Sequence, residues 1–385
     1  MSEQPPPARA QGGFRGTTAP AYPRTADPVT AEPDPLRPIM FVHIPRTGGT
    51  TVKRALQLVF GTQRTLLDVQ TFDTGDVDLG GYALIEGHRL ASFYRRAFGD
   101  DWSSNGFVLL RDPVARVVSQ ARHMRALPHH RDHAEMADRV HDVAAVFDRV
   151  GMLSNLQTKL LVGKLPRSRS VDEHSLEAAK AALHGMAFGL TEAFDESMCL
   201  LSERFALGLP RYAVEGSSPP AGDDDLRSEE FRAEARRRNQ LDLELHRYAT
   251  AVFATHRDRY TDAVLGPDLD DGPLDLFLRT PEGRAGSSVP VGAGSGPTEI
   301  WGWVTIAGAA PDAVLLRTSA GVTPLCCRID SSAAVRNTRA FGARAAGVRG
   351  RVLLSDSDVV DLIAVDRTRG LRAERSFTVR AGALP

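Results

Sequence analysis

Cysteine is scarce in this chain: there are three in 385 residues, and two of them, Cys326 and Cys327, are adjacent. That number cannot build a disulfide framework, and no Cys/His set has metal-ligand spacing. A reducing interior and no bound metal are the expectation. Long apolar runs are also missing, since no stretch of eighteen residues could span a bilayer. The N-terminus lacks a basic-then-apolar secretion pattern. Charge of one sign is missing too. A formal net charge of −1 gives no reason to expect nucleic acid or an anionic membrane as main partner. These absences predict a cytoplasmic protein with no membrane span, whose anion binding comes from local arrangement.

What is present is ordinary for a globular protein, with 42% hydrophobic and 25% charged residues. The length suits two domains, or one with an appendage. Residues 1–36 are rich in Pro, Ala, Thr and Arg without periodicity and read as a disordered leader. Order is expected from Pro38, where IMFVHI supplies a short buried strand between two prolines. Val52, Leu56, Val59 and Phe60 then recur at helical spacing, closed by Gly61. Further strands are predicted at Tyr82–Ile85, Gly106–Leu110 and Ala187–Glu192, with helices from Pro113, over 172–185, and from Leu226 to His256. Strands alternating with helices predict a parallel sheet in an α/β/α arrangement over 37–262. Breaker-rich sequence over 263–296 reads as a linker. Beyond it, short runs such as EIWGWVTIAG, VVDLIAVDR and RSFTVRAG predict a small all-β, immunoglobulin-like sandwich over 297–385. Trp301 and Trp303 there either stack on sugars or, as alternate strand residues, serve the core.

Two strings carry chemistry. The first, FVHIPRTGGTT (Phe41–Thr51), is an apolar run that opens through Gly48 and Gly49 into a helix. Two glycines let backbone N–H groups approach a phosphate closely, and the helix N-terminus adds its positive dipole end. Thr50 and Thr51 add hydroxyls and amides, and Arg46 adds a cation. The second, FVLLRDPVARVVSQ (Phe107–Gln120), carries Arg111 and, on the following helix, Ser119. A guanidinium forks onto phosphate oxygens. Two separated anion sites describe a pocket for a nucleotide with a phosphate at each end. No G-x-x-x-x-G-K-[ST] sequence occurs, so Mg-ATP chemistry is not the default.

PRTGGTT is very similar to the PKTGGT(S/T) loop that grips the 5′-phosphosulfate of PAPS (3′-phosphoadenosine 5′-phosphosulfate) in sulfotransferases related to heparan-sulfate 2-O-sulfotransferase and its bacterial relatives. RDPVARVVSQ resembles the same family's 3′-phosphate segment. The resemblance runs over residues 38 to about 257, with SNLQTKLLVG, FGLTEAFDESMCLLSERFAL and RRRNQLDLELHRYA as further landmarks. It implies a P-loop-like fold and PAPS as co-substrate. It places Pro45, Arg46, Thr47, Gly48, Gly49, Thr50 and Thr51 on the 5′-phosphosulfate, and Arg111 with Ser119 on the 3′-phosphate. The family's catalytic histidine stands in a similar G-H context, which implies His88 as general base, with Glu86 as second candidate base or orienting partner. One departure is Arg46, where the family usually has lysine. Arginine keeps the charge but is longer and never gives up its proton.

The expected reaction is sulfuryl transfer from PAPS to an acceptor hydroxyl, on a carbohydrate by resemblance. Two alternatives stand beside it: a kinase-type phosphotransferase, and a nucleotide-binding protein without catalysis. His123, His129, His130 and His133 lack the companions of a metal site and are candidates to line the acceptor pocket. His43, inside the first strand, reads as structural.

Overall fold

The computed structural model describes residues 32–68, 79–88, 91–137, 140–166, 168, 171–208, 211–212, 224–280, 283–285, 288–291, 298–328, 346–352, 354 and 359–381. Most of the expected leader, residues 1–31, lies outside them. Residue 34 is already tied to the body, its N–H donating to Asn105 Oδ1 at 2.9 Å and its carbonyl accepting from Asn105 Nδ2 at 2.9 Å.

Five parallel strands form the first sheet: β1 (Ile39–Val42), β2 (Thr65–Leu66), β3 (Leu84–Gly87), β4 (Gly106–Leu110) and β5 (Ala187–Leu190), in the order β2-β3-β1-β4-β5. Alternation along each strand supplies two apolar faces. Met40, Val42, Ile85, Val108, Leu110 and Phe188 point to one core, and Ile39, Phe41, Leu84, Phe107 and Leu109 to the other. The helices are α1 (Gly49–Phe60), α2 (Ala91–Phe98), α3 (Pro113–Ala126), α4 (Val143–Arg149), α5 (Leu156–Leu161), α6 (Glu173–Gly185), α7 (Phe194–Arg204), α8 (Asp224–Arg227), α9 (Glu229–Arg238) and α10 (Gln240–Leu265). Residues of α2, α5, α6 and α10 cover the first face. Residues of α1, α7 and the end of α10 cover the second. A parallel sheet buried on both sides is what near-continuous apolar strands require.

Local signals explain several boundaries. Asp112 caps α3, accepting from Ala115 N at 2.7 Å with Pro113 in the first turn. Asp172 and Ser175 form a capping box on α6. The single helix expected over 226–256 is instead three, broken at Ser228 and Asn239. Ser228 caps α9, and Asn239 is fully buried, its amide donating to Leu153 O (2.7 Å) and Ala235 O (2.8 Å).

The remaining strands are β6 (Arg211–Tyr212), β7 (Asp270–Asp271), β8 (Leu274–Thr280), β9 (Gly283–Arg284), β10 (Ser288–Val291), β11 (Thr298–Ile306), β12 (Ala313–Thr318), β13 (Gly321–Pro324), β14 (Cys327–Arg328), β15 (Ala346–Val352), β16 (Val359–Asp366) and β17 (Leu371–Ala381). β6 pairs with β14 alone. β15-β11-β8-β9 make a four-stranded sheet, and β10-β17-β16-β12-β13 with β7 a six-stranded one. The two share a core of Leu278, Ile300, Val304, Val348, Val314, Leu316, Leu362, Phe377 and Val379. Part of the expected linker is therefore structured. Leu274, Leu276 and Leu278 alternate with polar or outward residues in β8, which pairs antiparallel with β11. The flanking Gly and Pro residues hid that alternation.

Trp301 and Trp303 are not in this shared core. Ile300 and Val304 point into it, so the two tryptophans lie half-buried on the opposite face of the four-stranded sheet, with Phe277 paired to Trp303. The outer face of the six-stranded sheet is not free either. Ala313, Leu315, Ile363 and Val365 pack with Met198, Cys199 and Leu201 of α7 and with Tyr260 and Val264 of α10. There Cys199 Sγ lies 3.1 Å from Cys326 Sγ, both as free buried thiols.

Candidate functional site

β1 lies between β3 and β4, so the connections leaving β1 and β4 run to opposite sides of the sheet. Ligands of open α/β sheets bind outside the strand carboxyl ends at such a switch point. The register aligns those ends, with Val42 opposite both Gly87 and Val108. The loop after β1, the turn after β3 and the segment after β4 therefore converge.

The loop after β1 turns sharply. Arg46 has φ 69° and Gly48 φ 89°, both left-handed. Glycine takes that conformation freely, while arginine is held there by its surroundings. Gly48 is the N-cap of α1 and offers no side-chain cap, while its carbonyl accepts from Thr51 N at 3.0 Å, so another acceptor at this end would meet the amides that precede Thr51. Pro45 and Gly48 are half-buried and Thr50 is exposed, whereas Thr51 is buried. Thr47 turns its hydroxyl inward. The side chain is fully buried and Oγ1 donates to Ile44 O at 2.9 Å. Gly49 is required for a reason absent from the sequence reading: a Cβ there would lie 2.2 Å from the His43 ring. Thr191 Oγ1 is 2.6 Å from Thr47 O and 3.0 Å from Leu110 O, tying this loop to the end of β4.

Arg46, Arg111 and Ser119 come together. Arg46 Nε donates to Ser119 Oγ (3.1 Å), and its Nη1 lies 3.3 Å from His123 Nδ1. Arg111 Nη1 donates to Arg46 O at 2.9 Å. Burial, and then the Arg111 charge, lower the Arg46 pKa; burial also lowers Arg111, against the opposing pull of Glu192 and Asp112. Both guanidiniums stay charged. His123 is lowered by burial and by Arg46. Two half-buried cations thus face one another where an anion would relieve their repulsion. Of the histidine cluster, His123 reaches this site and His130 lies beside it, ring centroids 6.2 Å apart. His133 Nδ1 instead pairs with Met124 O. Among the described residues no three His, Cys, Asp or Glu side chains group as a metal site.

His88 follows β3, its Nδ1 2.6 Å from His43 O. A carbonyl only accepts, so Nδ1 carries the proton and Nε2 is left with a lone pair. Burial, and then the neighbouring His43, push the His88 pKa down to about 4. The hydrogen bonds of Glu86 go to residues other than His88. Its Oε1 pairs with His43 Nδ1 and its Oε2 accepts from Asp68 N at 3.1 Å. Burial raises the Glu86 pKa, but the His43 and Asp68 hydrogen bonds and Lys53 outweigh it, leaving a lowered value. His43 itself is sandwiched, stacked on Phe41 at 5.4 Å and tilted against His88 at 4.3 Å between ring centroids.

Two residues at this end of the sheet were not singled out from the sequence. Glu192, just past β5, accepts from Asp112 N (2.8 Å) and lies 3.3 Å from His246 Nε2. Gln157, at the start of α5, accepts from Arg111 N and donates to Arg111 O, each at 2.9 Å. Both fall within landmark strings, AFGLTE and SNLQTK, where a polar residue beside an apolar run was the available signal.

No family model matches the chain, and neither does any curated protein. Among solved structures, an engineered protein is similar at 12% identity and TM-score 0.18, covering 79% of this chain and 56% of its own. The endo-beta-1,4-mannanase from Thermotoga petrophila is similar at 9% identity and TM-score 0.18, covering 83% and 56%. The chain thus spans little more than half the length of either, and likeness at this level carries no argument about function.

Proposed function

We propose that this chain is a PAPS-dependent sulfotransferase acting on an acceptor hydroxyl, on a carbohydrate, in the cytoplasm. The observation that carries the reading is the meeting of the two motif strings at the switch point, with Arg46 Nε on Ser119 Oγ. In this reading the amides of Gly48 to Thr50 and the N-terminus of α1 hold the 5′-phosphosulfate, and Arg111 with Ser119 holds the 3′-phosphate. Arg46, turned toward Ser119 and His123, works as a phosphate-binding cation rather than on the leaving oxygen. The P-loop-like character of the α/β part and the immunoglobulin-like character of the β part belong to the same reading.

The acceptor oxygen attacks sulfur as the bond from sulfur to the bridging phosphate oxygen breaks, and PAP leaves with that electron pair. His88 Nε2 takes the acceptor proton. A base lowered to about 4 is weak toward a free alcohol. It suffices because the hydroxyl becomes strongly acidic only as its oxygen bonds to sulfur. Positioning and charge supply the rest, with no covalent enzyme intermediate. Thr47 acts through its backbone, since its hydroxyl is engaged.

Calorimetric titration tests the nucleotide half. PAP binds without Mg²⁺, and replacing Arg111 and Ser119 together by alanine weakens it about 100-fold, as expected for loss of charge-assisted bonds. Binding of ATP only with Mg²⁺, and none of PAP, would establish the kinase-type alternative instead. Labelled PAPS offered with a glycan panel tests the transfer. Tight PAP binding with no labelled product from any acceptor would leave the non-catalytic binding protein.

A further inference from the structure

We infer that Gln157 is a positioning residue: it aims the Arg111 guanidinium and so sets how strongly the site distinguishes a nucleotide with a 3′-phosphate from one without. This rests on the nucleotide reading above. Pairing between β4 and β5 ends at Leu110 opposite Leu190, so the backbone of Arg111 leaves the sheet without a strand neighbour. The Gln157 amide replaces that neighbour, Oε1 taking the Arg111 N–H and Nε2 giving to the Arg111 carbonyl. One primary amide thereby closes both backbone groups of a single residue, as an adjacent strand would.

The clamp is itself anchored. Gln157 is fully buried, and its N–H donates to Asp242 Oδ2 at 3.0 Å. Thr158 gives Asp242 Oδ1 two more bonds, from N at 2.8 Å and Oγ1 at 2.7 Å. Asp242 sits in α10 with no exposed surface. A chain of hydrogen bonds therefore runs from α10 through the start of α5 to the Arg111 backbone, and ends where Arg111 Nη1 meets the carbonyl of Arg46. With the φ and ψ of Arg111 fixed, its side chain starts from one direction. A ligand contact displaced by an ångström loses much of its value.

The experiment titrates PAP and adenosine 5′-monophosphate into the full-length protein and its variants Gln157→Leu, Gln157→Glu, Gln157→Asn and Arg111→Ala. The readout is the ratio of the two affinities, which a loss of overall stability does not move. Leucine removes both bonds, glutamate cannot donate to the carbonyl, and asparagine is a methylene too short. Each is expected to lower the PAP preference about tenfold while leaving the monophosphate affinity within about twofold, the effect of one or two hydrogen bonds to a charged group's support. Should the leucine variant not melt cooperatively, glutamate and asparagine, which keep a buried polar group of similar size, decide the matter. A PAP preference that Arg111→Ala abolishes but the Gln157 variants retain overturns this inference alone. A parent protein with no PAP preference overturns the nucleotide reading and this inference with it.

Discussion

At the scale of single residues, His88 makes a prediction of definite sign. Its pKa is about 4 in the folded chain against 6.5 ordinarily. Between those values the unfolded chain holds a proton that the folded one refuses, so acid favours unfolding. The stability involved is intact above about pH 6.5 and is lost progressively as pH falls toward 4, by up to about 3 kcal/mol. Urea unfolding of the parent and of His88→Asn at pH steps across that window should give curves that diverge on acidification, the variant being flatter. Parallel curves would show that His88 titrates normally. Position at a strand end did not by itself single out His88; only the resemblance of Gly87-His88 to the sulfotransferase G-H context did. The pairing of Glu86 with His43 was not legible, because it joins β1 to β3 across 43 residues of sequence and depends on which strands are neighbours. The same holds for Gly49, whose missing Cβ makes room for the His43 ring rather than only for a phosphate.

At the scale of elements, four of the five strands of the parallel sheet could be read from apolar runs bounded by Gly and Pro, and α3 from Asp112-Pro113, but the two-residue edge strand β2 is too short to leave such a pattern. Breaks between helices could not be read. The apolar stripe that suggested one helix over Leu226–His256, made by Leu241, Leu245, Tyr248 and Val252, lies wholly within α10, so it carries no mark of Asn239 as the end of α9. What ends it is tertiary: Asn239 turns inward, donates to Leu153 O and Ala235 O, and accepts from Asn155 N at 2.7 Å. Asn155 in turn accepts from Asp242 N at 3.1 Å, so the junction of α9 and α10 is bonded to the start of α5. Replacing Asn239 by alanine leaves two carbonyls and an amide without partners in a buried place. The expected loss is about 2–4 kcal/mol, measured as a lower urea midpoint with an unchanged slope. Because Asp242 lies in the next turn, the same variant should weaken PAP more than adenosine 5′-monophosphate. A loss of stability below about 0.5 kcal/mol would mean that water replaces these bonds without cost.

At the scale of the whole molecule, the composition shift near residue 265 marks a real change from helices to strands, but not a place where packing stops. The second face of the helical layer and the outer face of the six-stranded sheet share one apolar cluster, from Met198 and Leu201 through Tyr260 and Val264 to Leu315, Ile363 and Val365. Arg367, past the end of β16, closes a two-pronged ion pair on Glu203 of α7 at 2.6 and 2.8 Å. No sequence pattern could reveal this, since alternation tells which residues of β12 and β16 face inward on each side but not what the second side meets. Sheets covered on both faces lose a large apolar area if either neighbour unfolds alone. Unfolding of the two parts is therefore expected to be one cooperative event. The tryptophans report it separately: Trp102 is buried in the α/β core, while Trp301 and Trp303 stand on β11. Variants keeping only Trp102, or only the β11 pair, should show the same urea midpoint by fluorescence, and that shared midpoint should fall in both when Glu203 is replaced by alanine. Midpoints that separate, or a Glu203 effect confined to one reporter, would mean that the β region folds as an independent unit merely resting on α7.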